Sequence, residues 1–232
     1  MRSEAKLIIG FGILMILVVV SLAWFGSKPP TPTGPADPAL LVRPDSQKIE
    51  APGARVILVE FGDYQCPACA AAEPVIKQVL KDYQGRITFV FRNFPLPNHE
   101  HAMISAEAAE VAGDQGKFWE MHDLLYERQD VWVKAKSPKD EFIKYAGELG
   151  LNVSEFTSSL NASKYESRIR RDQNDGNSLS VNATPTFYVN GKKLMLTSSN
   201  DLINAIKSVI GASATAVPSS TISPQASPTS IF

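Results

Sequence analysis

The sequence predicts an α/β domain with a β-α-β half, a β-β-α half and a block of helices inserted between them, preceded by one N-terminal transmembrane helix. Three features predict it. Two short apolar, β-branched runs, RVILVEF (55–61) and RITFVFRNF (86–94), enclose an amphipathic stretch. Asn190-Gly191 separates two extended runs further on. Residues 7–25, LIIGFGILMILVVVSLAWF, form an apolar segment without a charge.

Residues 7–25 match the roughly 20 residues that a bilayer-spanning helix needs. A cleaved signal has a shorter apolar core, ~7–15 residues, ending in small side chains. This run closes in LAWFGS, so an uncleaved anchor is expected. Arg2 and Lys6 keep the tip 1–6 in the cytoplasm and send the rest outward. Residues 26–39 carry the proline-rich SKPPTPTGPADP, read as a stiff, irregular spacer. The domain then occupies 40–211. Residues 212–232, uncharged and rich in Ala, Ser, Thr and Pro, are read as a disordered tail. A formal net charge of -1 argues against a general nucleic-acid binder, which needs a clustered basic surface.

Within the domain, the run 55–61 reads as a strand buried on both faces. AAAEPVIKQVLKDY then sets Val75, Ile76, Val79, Leu80 and Tyr83 on one helical face, closed by Gly85. The run 86–94 adds a second strand, parallel to the first through a right-handed crossover. Four helices are expected in HAMISAEAAEVAG, KFWEMHDLLYERQ, KDEFIKYAGELG and VSEFTSSLN, and a weaker fifth in SKYESRIRRDQNDGNSL. They fill the insertion at about 98–180. TPTFYVNGKKLML reads as a hairpin, because both turn positions need positive φ and Asn-Gly supplies it. NDLINAIKSVIG ends the domain as a helix, with Asn200 or Asp201 as N-cap and Gly211 as C-cap.

Cys66 and Cys69 are the only cysteines in 232 residues. They fall where a buried strand hands over to a helix, a place where functional sites collect in open α/β sheets. Helix N-terminal N–H groups and the dipole stabilise a thiolate there, so the Cys66 pKa should lie below the free value of ~8.5. Pro67 fits the first helical turn, where a missing N–H costs nothing. Cys66 is expected to be exposed and Cys69 to lie beneath it, an asymmetry suited to attack by one thiol and resolution by the other. A structural zinc site needs four ligands, which His99 and His101 would have to complete. A structural disulfide over two intervening residues removes little chain entropy. Redox chemistry is the strongest reading of the pair. His122 and Trp119, on an amphipathic helix, read as core or groove-lining residues, and His99 as a solvated loop residue.

VILVEFGDYQCPACAAAEP resembles the active-site strand and helix of the thioredoxin superfamily. With the helical insertion, FRNFPLPNHEHA, FWEMHDLLY and ATPTFYVNGKK, it resembles the DsbA-like branch, thiol–disulfide oxidoreductases that are membrane-anchored or secreted. The resemblance implies a nucleophile at Cys66 and a resolving thiol at Cys69, with Pro67 and Ala68 as the tuning dipeptide. It implies a cis-proline at Pro185 facing the sulfurs, and a Thr184 backbone free to pair with substrate. Glu60 matches a buried acid beneath the resolving cysteine, able to shuttle its proton. Pro74 matches a helix-kinking proline. One residue departs from the pattern: strong oxidants of the branch often carry histidine where Ala68 stands. Its loss should raise the Cys66 pKa and weaken the pair as an oxidant.

The expected function is therefore a single-pass protein of the cytoplasmic membrane whose extracytoplasmic domain oxidises cysteine pairs of newly exported, unfolded proteins. No cofactor is required, because the Cys66–Cys69 disulfide carries the electrons. Reoxidation by a quinone-coupled membrane partner of the DsbB or VKOR type is implied by the resemblance alone. A monomer is expected. The alternatives are a reductase or isomerase of the same fold, a tethered chaperone-like binding module, and a metal-binding module.

Overall fold

The computed structural model describes residues 35–196 and 198–215, together with 15–17 and 21. The chain divides into two units, Met1–Gly34 and Pro35–Phe232. In the first, Met15, Ile16 and Leu17 are helical and exposed. Most of the expected span at 7–25, and the tail from 216 onward, lie outside the described residues. Among the described residues no helix is long and apolar enough to cross a membrane.

The second unit is built on a mixed five-stranded sheet. β1 (Gln47–Ile49), β2 (Val56–Gly62), β3 (Ile87–Asn93), β4 (Thr186–Val189) and β5 (Lys192–Lys193) lie in the order β1-β3-β2-β4-β5. β2 and β3 are parallel, joined through the helix α2 (Pro67–Asp82), and the remaining pairs are antiparallel. Alternation along the central strands divides the core between the two faces. Val56, Leu58, Phe89, Phe91 and Phe187 join the larger cluster, with α2 and most of the helical block. Val59, Phe61, Val90 and Tyr188 join the smaller one, with Leu41. Both faces are covered, so the central strands are almost continuously buried; Ile57, 42% exposed, is the exception on β2. Gly62 ends β2 beside the Phe91 ring. A Cβ there would sit 2.4 Å from Phe91 Cε2 and 3.0 Å from Glu60 Oε1, so only glycine leaves room for both.

The helical block runs α3 (Ala102–Gly113), α4 (Phe118–Glu127), α5 (Gln129–Trp132), α6 (Pro138–Glu148), α7 (Val153–Asn161) and α8 (Glu166–Ser178). A buried ion network ties α8 to the sheet. Arg92 on β3 has no exposed surface and donates to Asp172 Oδ1 at 2.8 Å and Asp175 Oδ2 at 2.6 Å. It also donates to the carbonyls of Leu40 and Leu41 at 2.8 and 2.9 Å. Arg43 forks onto both oxygens of Asp175 at 2.6 Å.

The hairpin turn has the expected conformation, with φ of 48° at Asn190 and 80° at Gly191. The Asn190 side chain also accepts from Ile57 N–H and donates to Arg55 O, fixing the start of β2.

Several sequence expectations are corrected. The end of the proline-rich spacer is ordered: Ala36 N–H donates to Gly191 O at 2.8 Å, and Pro38 opens α1 (Pro38–Leu41), capped by Asp37. Proline at the first position of a helix has no hydrogen bond to lose. The short β1 and α5 were not anticipated. The last helix, α9 (Ser199–Thr215), starts before Asn200, with Asp201 Oδ2 reaching back to Ser198 N–H at 2.7 Å. It continues past Gly211, which is therefore not its C-cap. α2 ends at Asp82, and Gly85 lies in the turn beyond it with φ 75°.

Candidate active site

Cys66 is the N-cap of α2, with extended backbone, and Pro67 is the first helical residue. Two residues, Asp63 and Gln129, build the turn that presents it. The Asp63 carbonyl accepts the Cys66 N–H at 3.0 Å. The Asp63 carboxylate, buried, accepts from Gln65 N–H at 2.8 Å and Leu96 N–H at 2.9 Å, and lies 2.7 Å from His99 Nδ1. Gln129 on α5 donates to the carbonyls of Tyr64 and Cys66 at 2.7 and 3.0 Å.

The Thr184–Pro185 peptide bond is cis. The Cys66 thiol donates to the Thr184 carbonyl at 3.3 Å. This loop covers the sulfur, and Cys66 is only 7% exposed rather than open to solvent as the sequence suggested. Cys69, one turn on, is fully buried. Pro67 and Ala68 are exposed. Beside them runs an apolar groove of about 390 Å³, lined by Ala68, Ala72, Val75, Pro185, Phe187 and Leu202 among others.

The two thiols are driven apart electrostatically. Cys66 is lowered to about 5, chiefly by its hydrogen bond with the Cys69 thiol; burial opposes this, and Thr184 with the N–H groups of Cys69 and Ala68 adds to it. Cys69 is pushed far up, first by burial, then by its bond to Cys66 and by the charges of Glu60 and Cys66. Glu60 shares the sheet face and register of Phe91 and Phe187. It is fully buried, and neither carboxyl oxygen has a protein partner. Burial first, then the charges of Glu73 and Cys66, hold it well above the carboxylate range, so it carries a proton.

The sequence-predicted residues Cys66, Cys69, Glu60, Pro67, Ala68, Thr184 and Pro185 thus lie at or beside one site. Pro74 lies inside α2, which continues to Asp82. His99 is held by Asp63, and His101 is the N-cap of α3. Among the described residues the cysteines join no group of three or more side chains spaced to share a metal; Glu73, His122 and Asp123 form one. Lys77 Nζ lies 3.1 Å from Asp123 in that group. His122, expected as a core residue, is buried, and it also bonds to Tyr64 and Glu73. Sequence reasoning missed Asp63, Gln129, Tyr64, Tyr126 and Glu73. Only Glu73 left a signal, since 69, 73 and 76 repeat at helical spacing and an acid there falls on the apolar face.

The model of the thioredoxin family matches residues 46–208. The chain belongs to the thioredoxin family. A Na(+)/H(+) antiporter NhaA 1 of Salinispora arenicola is 41% identical over 154 residues, covering 66% of this chain and 23% of that protein. The chain spans about a quarter of the length of the curated relatives it matches. BdbD of Bacillus subtilis superposes with a TM-score of 0.66 at 22% identity, covering 77% of this chain and 97% of that one. The α-DsbA1 of Wolbachia pipientis gives 0.65 at 20%, covering 76% and 96%. The domain has the DsbA-like thioredoxin fold.

For a thioredoxin-family pair with these surroundings, alkylation of the reduced protein should follow Cys66 alone, with a midpoint near pH 5. Its folded pKa lies below the unfolded value. The thiolate therefore adds stability to the reduced form that is complete above the ordinary thiol pKa and lost as pH falls through about 5. The oxidised form has no thiolate and should lack this slope. Unfolding of both forms across that pH range checks it.

Proposed function

We propose that the chain is a membrane-tethered, extracytoplasmic thiol–disulfide oxidoreductase that gives its Cys66–Cys69 disulfide to cysteine pairs of exported proteins. The observation that carries this reading is the split between the thiols: Cys66 is lowered to about 5 and Cys69 is buried with its proton held. Only the reduced form holds the Cys66 thiolate, so whatever stabilises that thiolate favours reduction of the pair and makes its disulfide a stronger oxidant.

A substrate thiolate attacks Cys66 Sγ, because Cys69 is out of reach. The Cys66–Cys69 bond breaks and its electron pair goes to Cys69 Sγ, which takes the proton of Glu60. The second substrate thiolate attacks the substrate sulfur of the mixed disulfide, and Cys66 leaves as a thiolate. The substrate loses two electrons and the pair gains them. A low pKa makes Cys66 a good leaving group, which speeds this release. The apolar groove beside Ala68 and Pro185 suits an unfolded chain. Reoxidation falls to a quinone-coupled membrane partner of the DsbB or VKOR type, where Cys66 attacks the partner's disulfide and Cys69 resolves it.

Tethering rests on the apolar segment 7–25. The relatives that match the domain in sequence are named as Na(+)/H(+) antiporters. Antiport itself is not extended to this chain, which spans only about a quarter of those proteins.

The test is oxidation of a reduced, unfolded protein by the full-length chain. Cys66→Ser should abolish disulfide formation. A variant that still promotes it, or a wild-type effect confined to suppressing aggregation, would point to the binding module instead.

A further inference from the structure

The helical block meets the active-site turn at Gln129, a residue the steps above leave unused. Gln129 is the first residue of α5 and is half-buried. Its Nε2 donates to the Tyr64 carbonyl at 2.7 Å and to the Cys66 carbonyl at 3.0 Å, so one amide spans the turn. Its place is fixed from behind. Val133 N–H donates to its carbonyl at 3.1 Å, and the fully buried Trp132 donates from Nε1 to the Leu125 carbonyl of α4 at 2.7 Å. Arg128, just before it, pairs with Glu148 at 2.7 Å and lies 4.9 Å from the Tyr145 ring centroid, both on α6. Gln129 thus stands on a corner tied to α4 and α6.

The Cys66 carbonyl is crowded. It accepts from Cys69 N–H at 3.1 Å, from Ala70 N–H at 3.2 Å and from Gln129 at 3.0 Å. A carbonyl oxygen has only two lone pairs, so three donors are more than it needs. The Cys69 N–H is the donor with a second acceptor. The Cys69 thiol contributes most to holding a thiolate at Cys66; the Thr184 side chain follows, and then the Cys69 N–H. The carbonyl and the sulfur of Cys66 therefore compete for the same N–H. Ala70 N–H makes the regular i to i−4 bond of the first turn of α2 and stays on the carbonyl. With the Gln129 amide also in place, the carbonyl loses little when the Cys69 N–H turns away.

The competition matters when the pair is reduced. Two substrate thiols give up two electrons and become a disulfide, the Cys66–Cys69 bond breaks, Cys69 ends protonated and Cys66 ends as a thiolate. A negative sulfur then stands where the oxidised form has none. Hydrogen bonds to an ionised acceptor are roughly twice as strong as neutral ones, so the N–H gains by moving to the sulfur. We propose that Gln129 keeps the Cys66 carbonyl supplied with a donor while the Cys69 N–H turns to the thiolate, so that the helical block sets how strongly the pair oxidises. This rests on the oxidoreductase reading. Gln129 bonds to neither sulfur; it is a positioning residue that acts through the Cys66 carbonyl and the Cys69 N–H.

The test compares the full-length protein with Gln129→Met, which keeps the side-chain length and removes both donors, and with Gln129→Ala, which removes them without bulk to place. Both variants should raise the alkylation midpoint of Cys66 by about one pH unit, the size of one hydrogen bond to a charged group. The equilibrium with glutathione should shift about tenfold toward the Cys66–Cys69 disulfide, which is about 30 mV for a two-electron couple. In the nitrogen-labelled wild-type protein the Cys69 amide signal should move as Cys66 titrates, and in both variants that movement should shrink. Unfolding of the oxidised form is the control: a merely structural contact would weaken oxidised and reduced forms alike and leave the midpoint in place. Variants with the wild-type midpoint and the wild-type equilibrium would overturn the proposal and leave the oxidoreductase standing, water then serving the carbonyl as well as Gln129 does. A wild-type protein that forms no Cys66–Cys69 disulfide in any glutathione buffer would overturn both.

Discussion

Cys69→Ser is expected to turn the pair into a trap. Cys66 keeps the turn built by Asp63 and Gln129 and the helix N–H groups, so it still attacks disulfides. The mixed disulfide then has no internal thiol to resolve it. A stoichiometric glutathione adduct should appear by intact mass where the wild-type protein shows only its internal disulfide. In Cys69→Ala, which keeps no donor at position 69, the free Cys66 thiolate should titrate higher than in the wild type, because the largest cause of its depression is the Cys69 thiol. A variant that turns over glutathione disulfide at the wild-type rate would remove Cys69 from the chemistry.

Arg92→Ala is expected to be the most damaging change away from the sulfurs. Arg92 is wholly buried, and its loss leaves Asp172 without its guanidinium partner and the Leu40 and Leu41 carbonyls without theirs. Asp175 keeps Arg43. Removing one partner from a buried ion network typically costs about 3–5 kcal/mol. Denaturant unfolding should show a loss of this size, with α8 and α1 the first segments to gain amide exchange. Lysine should not rescue it, since one ammonium cannot serve four acceptors on a fixed fork. A loss within ~0.5 kcal/mol would mean the network does not hold the helical block to the sheet.

The same residues explain what could be read from the sequence. β2, β3, the β4–β5 turn and most of the helices were legible because apolar periodicity and Asn-Gly chemistry are local. α8 was faint because the face it buries carries Asp172, Asp175 and Gly176 beside Ile169, and its anchors lie on β3 and before β1. β1 is three residues long and depends on pairing with β3, which no local pattern announces. At the site, the cysteine spacing and the Thr-Pro before the hairpin pointed to the residues that meet. The burial of Cys66 was not legible, because it is imposed by a loop 118 residues away. The expectation at Ala68 considers one side chain, and the Cys69 thiol and the backbone N–H groups, which also act on the thiolate, left no mark in the sequence. Gln129 and Tyr126 gave no sign, since their roles exist only once α4 and α5 pack against the active-site turn.

The measurement that tests the redox reading most directly is the equilibrium potential of the full-length protein in glutathione buffers. Potentials in proteins of this chemistry run from roughly −270 mV to roughly −120 mV. With Cys66 held near 5 and Cys69 protonated, the value should fall toward the −120 mV end, that of a disulfide readily given away. A value near −270 mV, or a chain that forms no Cys66–Cys69 disulfide at any ratio of glutathione to its disulfide, would contradict an oxidase.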